Sequence, residues 1–315
     1  MSTPIISVVV PVYNTEKYIS KCLSSIENQT LSDIEVLIVD DCGKDGSIKL
    51  AEEYVERDHR FRIITHEHNK GLGGARNTGI DASKGEYIFF LDSDDWIPCD
   101  ALQVMVDKSV ETGCDMLFAK MAVEHGGTLD IVEYIEVAVN RILQLPNTNG
   151  REYQSVLFYA GNAGNRIYKR SLLTENNIRF IDRIYWEDMP FSLEVWYASK
   201  QVVAIPNIVH FHTIREDADN LSITQTRNKK SFTDRDIILD YIFKWAEARQ
   251  ADTEAVLLAK QLITRMLPTT RKLVEESMDG DLSDFLIGWF DTHRVRYEDY
   301  LEKMRVFPES SASPS

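Results

Sequence analysis

Four short apolar runs rich in β-branched residues, each followed by a single helical pattern, occupy the first hundred residues and leave few folds open. Ile5-Ile6-Ser7-Val8-Val9-Val10 precedes Ile19, Cys22, Leu23 and Ile26 at helical spacing. The cycle returns with residues 34–39, then a helix capped near Ser47 that carries Ile48, Ala51, Tyr54 and Val55 on one face. Residues 61–65 and a helix from about Gly74 make a third cycle, and residues 87–91 with a helix from about Asp100 make a fourth. Near-continuous hydrophobic strands separated by single helices predict an α/β fold whose parallel sheet is covered on both faces. Ligands on such sheets bind beyond the carboxyl ends of the strands, where strand order reverses.

Those ends are polar: Pro11-Val12-Tyr13-Asn14 after the first strand, Asp40-Asp41 after the second, and Asp92-Ser93-Asp94-Asp95 after the fourth. Gathering like charges raises the energy of the folded state unless a cation or hydrogen-bond donors compensate. A D-x-D triplet alone is weak in this chain, because it recurs at Asp217/Asp219, Asp234/Asp236 and Asp279/Asp281. Only the copy at Asp92 and Asp94 follows a buried strand directly. Carboxylate oxygens there suit Mg²⁺ or Mn²⁺, hard cations that share their shell with substrate phosphates. Asp41 at its own strand exit is placed to accept a hydrogen bond from a nucleobase N–H, although a plain turn accounts for it equally well.

The segment Asn69-Lys70-Gly71-Leu72-Gly73-Gly74-Ala75-Arg76-Asn77 opens a helix but fails as a dinucleotide fingerprint. Arg76 stands where a third glycine belongs, and the loop follows the third strand rather than the first. It reads as a close-approach loop in which Lys70 and Arg76 face a nucleotide, or in which Arg76 pairs with an aspartate.

The net charge of −15 argues against non-specific binding to nucleic acid or anionic lipid. The 315 residues allow about two domains, and 43% hydrophobic with 27% charged residues is ordinary globular composition. The four cysteines, Cys22, Cys42, Cys99 and Cys114, form no C-x-x-C pair, so reduced thiols are expected. No signal peptide fits the start of the sequence, and no run approaches the ~20 apolar residues of a spanning helix. A cytoplasmic location is the expectation. From about Asp115 the pattern loosens. From about Asn228 to Phe307 it turns helical, with an apolar stripe through Ile237, Ile238, Tyr241, Ile242 and Trp245. Further helices are expected over 257–274 and 282–289, with Pro268 kinking or dividing the first of these. The Ser/Pro-rich tail 308–315 reads as disordered.

In order and spacing, Val8-Val9-Val10-Pro11-Val12-Tyr13-Asn14, Val39-Asp40-Asp41, Gly71 to Asn77 and Phe90-Leu91-Asp92-Ser93-Asp94-Asp95 resemble the family 2 glycosyltransferases of the GT-A fold. Asn165-Arg166-Ile167-Tyr168-Lys169-Arg170 resembles that family's Asn-Lys-Leu-Tyr-Lys-Arg segment, with Arg166 in the lysine's place, and Trp186-Glu187-Asp188 resembles its acceptor-side motif. The resemblance implies a Rossmann-like, mostly parallel sheet over 1–227, with a nucleotide-sugar half (1–114) and an acceptor half (115–227), followed by a C-terminal helical appendage (228–307). It implies that Pro11, Tyr13, Asn14, Asp41, Lys70, Arg76, Asp92 and Ser93 bind the donor. Asp92 and Asp94 would hold Mn²⁺ or Mg²⁺ against the diphosphate, and Asp188, beside Glu187, would be the general base. A base is needed on chemical grounds as well, since an acceptor hydroxyl is a poor nucleophile. Attack opposite the leaving phosphate inverts the anomeric centre without an enzyme nucleophile.

The expected reaction is therefore metal-dependent, inverting transfer of one sugar from a nucleotide donor to a saccharide acceptor. The donor is expected to be UDP-linked (galactose, glucose or their N-acetylamino forms), and the acceptor a saccharide or lipid-linked saccharide of a bacterial surface glycan, the lipooligosaccharide galactosyltransferases being similar. Two other classes stay open: a nucleotidyltransferase, and a non-catalytic glycan- or nucleotide-binding module on the same scaffold. His210 and His212 read first as packed or surface histidines, with His212 a candidate third metal ligand. Tyr153, Phe158, Tyr159, Tyr185 and Trp186 include candidate sugar-stacking rings. The basic cluster Arg227, Lys229, Lys230 and Arg235 is read as a solvated helix start, or as a peripheral contact with the anionic inner face of a membrane or a lipid-linked diphosphate.

Overall fold

The computed structural model describes residues 3–144, 162–216, 221–277 and 282–305. In chain order the elements are β1 (Ile6–Val12), α1 (Ile19–Glu27), β2 (Ile34–Asp40), α2 (Ser47–Arg57), β3 (Phe61–Thr65), α3 (Gly71–Ala82), β4 (Tyr87–Phe90), α4 (Ala101–Thr112), β5 (Met116–His125) and β6 (Thr128–Ile131). They continue with α5 (Glu133–Gln144), β7 (Arg166–Lys169), α6 (Arg170–Glu175), α7 (Asp188–Ala198), β8 (Val202–Thr213), α8 (Lys229–Glu247), α9 (Thr253–Glu275) and α10 (Ser283–Arg305).

The sheet order is β3-β2-β1-β4-β7-β5-β6, with β8 pairing β5. The four expected strands are mutually parallel. β7 then joins β4 and β5 antiparallel, β6 is antiparallel to β5, and β8 runs parallel to β5. Every residue of β1 is buried, and its side chains divide by parity. Val8, Val10 and Val12 pack with α1, α2 and α4 on one face, while Val9 joins the core on the other. Burial on both faces is why the strand reads as a hydrophobic run rather than an alternation. Gly79 of α3 lies flat on β1, since a Cβ there would meet Val9 Cγ1 at 2.2 Å.

Order reverses at β1, whose neighbours are β2 and β4. The polar exits of β1, β2 and β4 therefore open on one edge, the position such sheets use for ligands. The second core continues from the sheet through Phe191 and Trp196 of α7 to Ile238, Leu239 and Ile242 of α8 and to Ala259 of α9.

Three boundaries depart from expectation. α3 begins at Gly71, three residues earlier than expected. Pro268 does not divide α9, and α10 runs on to Arg305. Separately from these, β8 runs through Pro206 and takes in both His210 and His212. It does so across a register irregularity opposite Lys120, the kind of place where a strand tolerates proline. The tail 308–315 lies outside the described residues. No helix among the described residues is long and apolar enough to cross a membrane.

Candidate active site

A cavity of about 590 Å³ opens at this edge, and all the predicted site residues line it except Lys70. Pro11, Tyr13 and Asn14 come from the β1 exit, Asp41 from β2, Arg76 from α3, Asp92, Ser93 and Asp94 from β4, Glu187 and Asp188 from the start of α7, and His212 from β8. Lys70 contributes its backbone instead, because its N–H donates to Asp41 Oδ1 at 2.7 Å. Asp40 is turned to its own turn, accepting from Cys42 N–H at 3.0 Å.

Asp41 is buried and fixes the glycine-rich loop. Its Oδ1 is also 2.7 Å from His66 Nδ1, and its Oδ2 accepts from Gly71 N–H at 2.9 Å. Gly71 has φ +77°, and a Cβ there would crowd the Arg183 backbone at 3.1 Å. The loop is thus pressed between the Asp41 carboxylate and the segment leading to α7. His66 went unnoticed in the sequence because nothing marks a lone histidine after β3; the β2–β3 register puts it beside Asp41.

Arg76 does not stand free to meet a nucleotide. It is buried and bridges two carboxylates, with Nη1 2.5 Å from Glu187 Oε1 and Nη2 2.7 Å from Asp92 Oδ1. Burial alone would ease its proton off, but the charges of Asp92, Glu187 and Asp188 outweigh that and hold it firmly cationic. The aspartate pairing read for Arg76 is present and is extended by Glu187, while Arg76 also lines the cavity.

Glu187 and Asp188 open α7, as an acidic pair at a helix N-terminus does. Burial, then the neighbouring Glu187 charge, push the Asp188 carboxyl up to about 8 against the opposing Arg76 guanidinium. Asp188 Oδ1 is buried and has no hydrogen-bond partner among the described residues. A buried carboxylate oxygen without a donor is costly unless something else uses it.

Asp94 Oδ2 accepts from Arg215 Nε at 2.8 Å. Burial and the Asp95 charge push the Asp94 carboxyl up to about 6, against the pull of Arg215. Asp95 is turned inward, joining the β4 exit to β8. It accepts from His210 Nε2 at 2.7 Å, from His212 Nδ1 at 3.1 Å and from Thr213 N–H at 2.9 Å. His210 Nδ1 accepts from Asn165 N–H at 3.2 Å, so the proton that His210 gives Asp95 sits on Nε2. Burial would lower the His212 imidazole, but Asp95, then Asp94 and Asp92, raise it to about 9.

Asp92, Asp94 and His212 do not close into a cage as expected. Among the described residues no three acidic, histidine or cysteine side chains could hold an ion by themselves. A divalent cation nevertheless fits the donors present. Asp92 Oδ2 and Asp94 Oδ1 accept no bond from the described residues, and they supply the one or two carboxylates that Mg²⁺ or Mn²⁺ uses beside substrate phosphates. His212 bonded through Nδ1 to a carboxylate has the usual setting of a ligating histidine, with Nε2 as its remaining nitrogen.

The rest of the cavity wall comes from Arg183, Ile184, Tyr185, Trp186, Arg215, residues 221–224, Thr226 and Lys230. The basic cluster is dispersed. Arg235 is buried, Lys229 lies over Phe285 at 5.4 Å, and Arg227 donates to Thr224 O at 2.7 Å. Arg235 is therefore unavailable to a membrane surface. Tyr153, Phe158 and Tyr159 lie outside the described residues.

Residues 7–175 match the family model described as Glycosyl transferase family 2, and the chain belongs to the family 2 glycosyltransferases. It is 34% identical over 242 residues to the EpsH protein of Bacillus subtilis, a match covering 74% of this chain and 66% of that protein, just under two thirds. Its fold is similar to that of residues 1–349 of TarS from S. aureus in complex with UDP-GlcNAc (TM-score 0.62, 22% identity, 95% of this chain and 91% of that one). It is also similar to the mannosyltransferase PcManGT from Pyrobaculum calidifontis in complex with GDP-Man and Mn²⁺ (TM-score 0.55, 16% identity, 96% and 85% coverage).

Proposed function

We propose that this glycosyltransferase moves one sugar, with inversion at the anomeric carbon, from a UDP-linked donor to a hydroxyl of a saccharide acceptor. The observation that carries the reading is Asp188 itself, which lines the same cavity as Asp92 and Asp94 while its buried Oδ1 has no hydrogen-bond partner among the described residues. A carboxylate raised towards neutrality is matched to taking a proton from an acceptor hydroxyl as that oxygen attacks.

Glu187 and Arg76 orient this base by pinning the start of α7 to the β4 exit. With one base and no second carboxylate assigned as nucleophile, attack opposite the departing phosphate is the simplest course, and it inverts the centre. Asp92 and Asp94, with His212, would hold Mn²⁺ or Mg²⁺, which when bound would neutralise charge growing on the leaving diphosphate. Arg215 lines the cavity beside Asp94 and adds fixed positive charge there. Pro11, Tyr13, Asn14 and Asp41 form the wall assigned to the nucleotide, with Asp41 Oδ2 as acceptor for a base N–H. The fold relative that holds UDP-GlcNAc favours a UDP donor, and the one with GDP-Man and Mn²⁺ favours the cation. Acceptors of surface-glycan type are proposed on the same footing.

The test is nucleotide release from a panel of UDP-, GDP- and dTDP-sugars with Mn²⁺, Mg²⁺ or chelator, together with the anomeric configuration of the product by NMR. Release from a UDP-sugar that needs the cation and yields an inverted product is expected. Full turnover in chelator, or retained configuration, contradicts the mechanism.

A further inference from the structure

The segment from Phe180 to Glu187, which delivers the base to the cavity, is gripped from two sides. On the donor side Asn77 accepts from Phe180 N–H at 2.9 Å and donates to Phe180 O at 2.9 Å and to Asp182 Oδ1 at 3.0 Å. On the other side stands the first part of α8. Asp234 Oδ2 accepts from Tyr185 N–H at 2.8 Å and from Lys230 Nζ, which also donates to Arg183 O at 2.6 Å. Trp186 Nε1 donates to Ser231 O at 3.4 Å, and its ring faces the Arg235 guanidinium at 4.9 Å.

Lys230 with Asp234, and Ser231 with Arg235, are two pairs four residues apart, so one face of α8 makes every contact. Two non-glycine residues of the segment, Arg183 at φ +60° and Trp186 at φ +64°, are held in left-handed backbone. Such conformations persist where the surroundings over-determine them. The start of α8 is itself fixed by a reciprocal cap, in which Asn228 Oδ1 accepts from Ser231 N–H and Ser231 Oγ accepts from Asn228 N–H. This also gives a reason for the buried Arg235. No ion pair accompanies it among the described residues, yet it packs a ring next to the base.

We propose that α8 is a clamp on the segment carrying Asp188, with Asp234 as the positioning residue, so that the C-terminal helices set the geometry of the base rather than the affinity for donor. The inference rests on Asp188 being that base. It assigns to Asp234 a role in transfer without contact with substrate.

The experiment compares the full-length parent, Asp234→Ala and Asp234→Asn in three readouts: amide hydrogen exchange of the 180–187 peptide, UDP affinity in Mn²⁺ by calorimetry, and turnover of the active UDP-sugar. In Asp234→Ala, exchange of the peptide rises about tenfold, and turnover falls about tenfold to a hundredfold at saturating donor. UDP affinity stays within about twofold. Asn keeps a carbonyl oxygen for Tyr185 N–H, so Asp234→Asn recovers turnover to within about threefold. Unchanged exchange at 180–187 in Asp234→Ala overturns the clamp whatever the role of Asp188. So does a loss of turnover that only follows a loss of UDP affinity and that Asn does not repair. If Asp188→Asn proves active while Asp234→Ala loosens the peptide, it is the assignment of the base that fails.

Discussion

Arg76 and Glu187 stand 111 residues apart in the chain and 2.5 Å apart in the fold, where they form a buried ion pair. With Asp92 as the second partner, this guanidinium ties the β4 exit to the start of α7, and so the proposed cation ligands to the proposed base.

Removing the guanidinium strands the Glu187 carboxylate away from water and unpairs Asp92, which the cavity leaves partly exposed. Arg76→Met is expected to lose about 3–5 kcal/mol of unfolding free energy, the range for breaking a buried pair from one side. Arg76→Lys should not restore it, since one ammonium cannot span both carboxylates with the geometry of a guanidinium. Urea denaturation gives the values; a loss below about 1 kcal/mol in Arg76→Met contradicts the assigned role.

The raised carboxyl of Asp188 sets a pH dependence whose sign is fixed. The unfolded chain releases this proton near the ordinary value of 3.8, whereas the folded chain keeps it to about 8. Between those limits the folded state holds more protons, so this group costs stability increasingly as pH rises from about 4 to 8. Relative to the parent, Asp188→Asn should be more stable at pH 8.5 by on the order of 2 kcal/mol, with the advantage fading towards pH 4. Urea melts across that range in chelator test this; a pH-independent difference contradicts it. The parent's kcat should climb through the same upper limit, because only the ionised carboxylate accepts a proton.

Asp94 tests the cation. With it removed, one of the two carboxylates with an uncommitted oxygen is gone. Mn²⁺ should then no longer raise the affinity for UDP in Asp94→Ala, whereas in the parent it should raise it about tenfold or more. Calorimetry with and without Mn²⁺ measures both. Equal enhancement in parent and variant would remove Asp94 from the ligand set.

The four parallel strands were legible in the sequence because burial on both faces writes an unbroken apolar run. The polar exits were legible because those runs stop abruptly. The motif residues Pro11, Asn14, Asp41, Asp92 and Asp94 are legible as one group because they follow strands that parallel topology must bring side by side. Arg215, His66 and the inward turn of Asp95 were not legible, for they depend on register between elements far apart in sequence. Trp96 bridges Phe211 across more than a hundred residues, and that bridge decides which histidines meet Asp95. The part Lys70 plays is not written in the sequence, because a glycine-rich loop can offer either side chains or backbone, and here its N–H serves Asp41. The buried side of α8 was equally hidden. Its stripe through Ile238 and Ile242 was readable, but the grip of Asp234 on Tyr185 N–H is a long-range contact with no local pattern.

The most direct measurement is the turnover of Asp188→Asn at saturating UDP-sugar, with UDP binding measured on the same preparation. Proton acceptance in the transition state is worth about 10²–10⁴ in rate, so turnover should fall at least a hundredfold while UDP affinity is unchanged. Turnover within a few-fold of the parent would show that the base lies elsewhere.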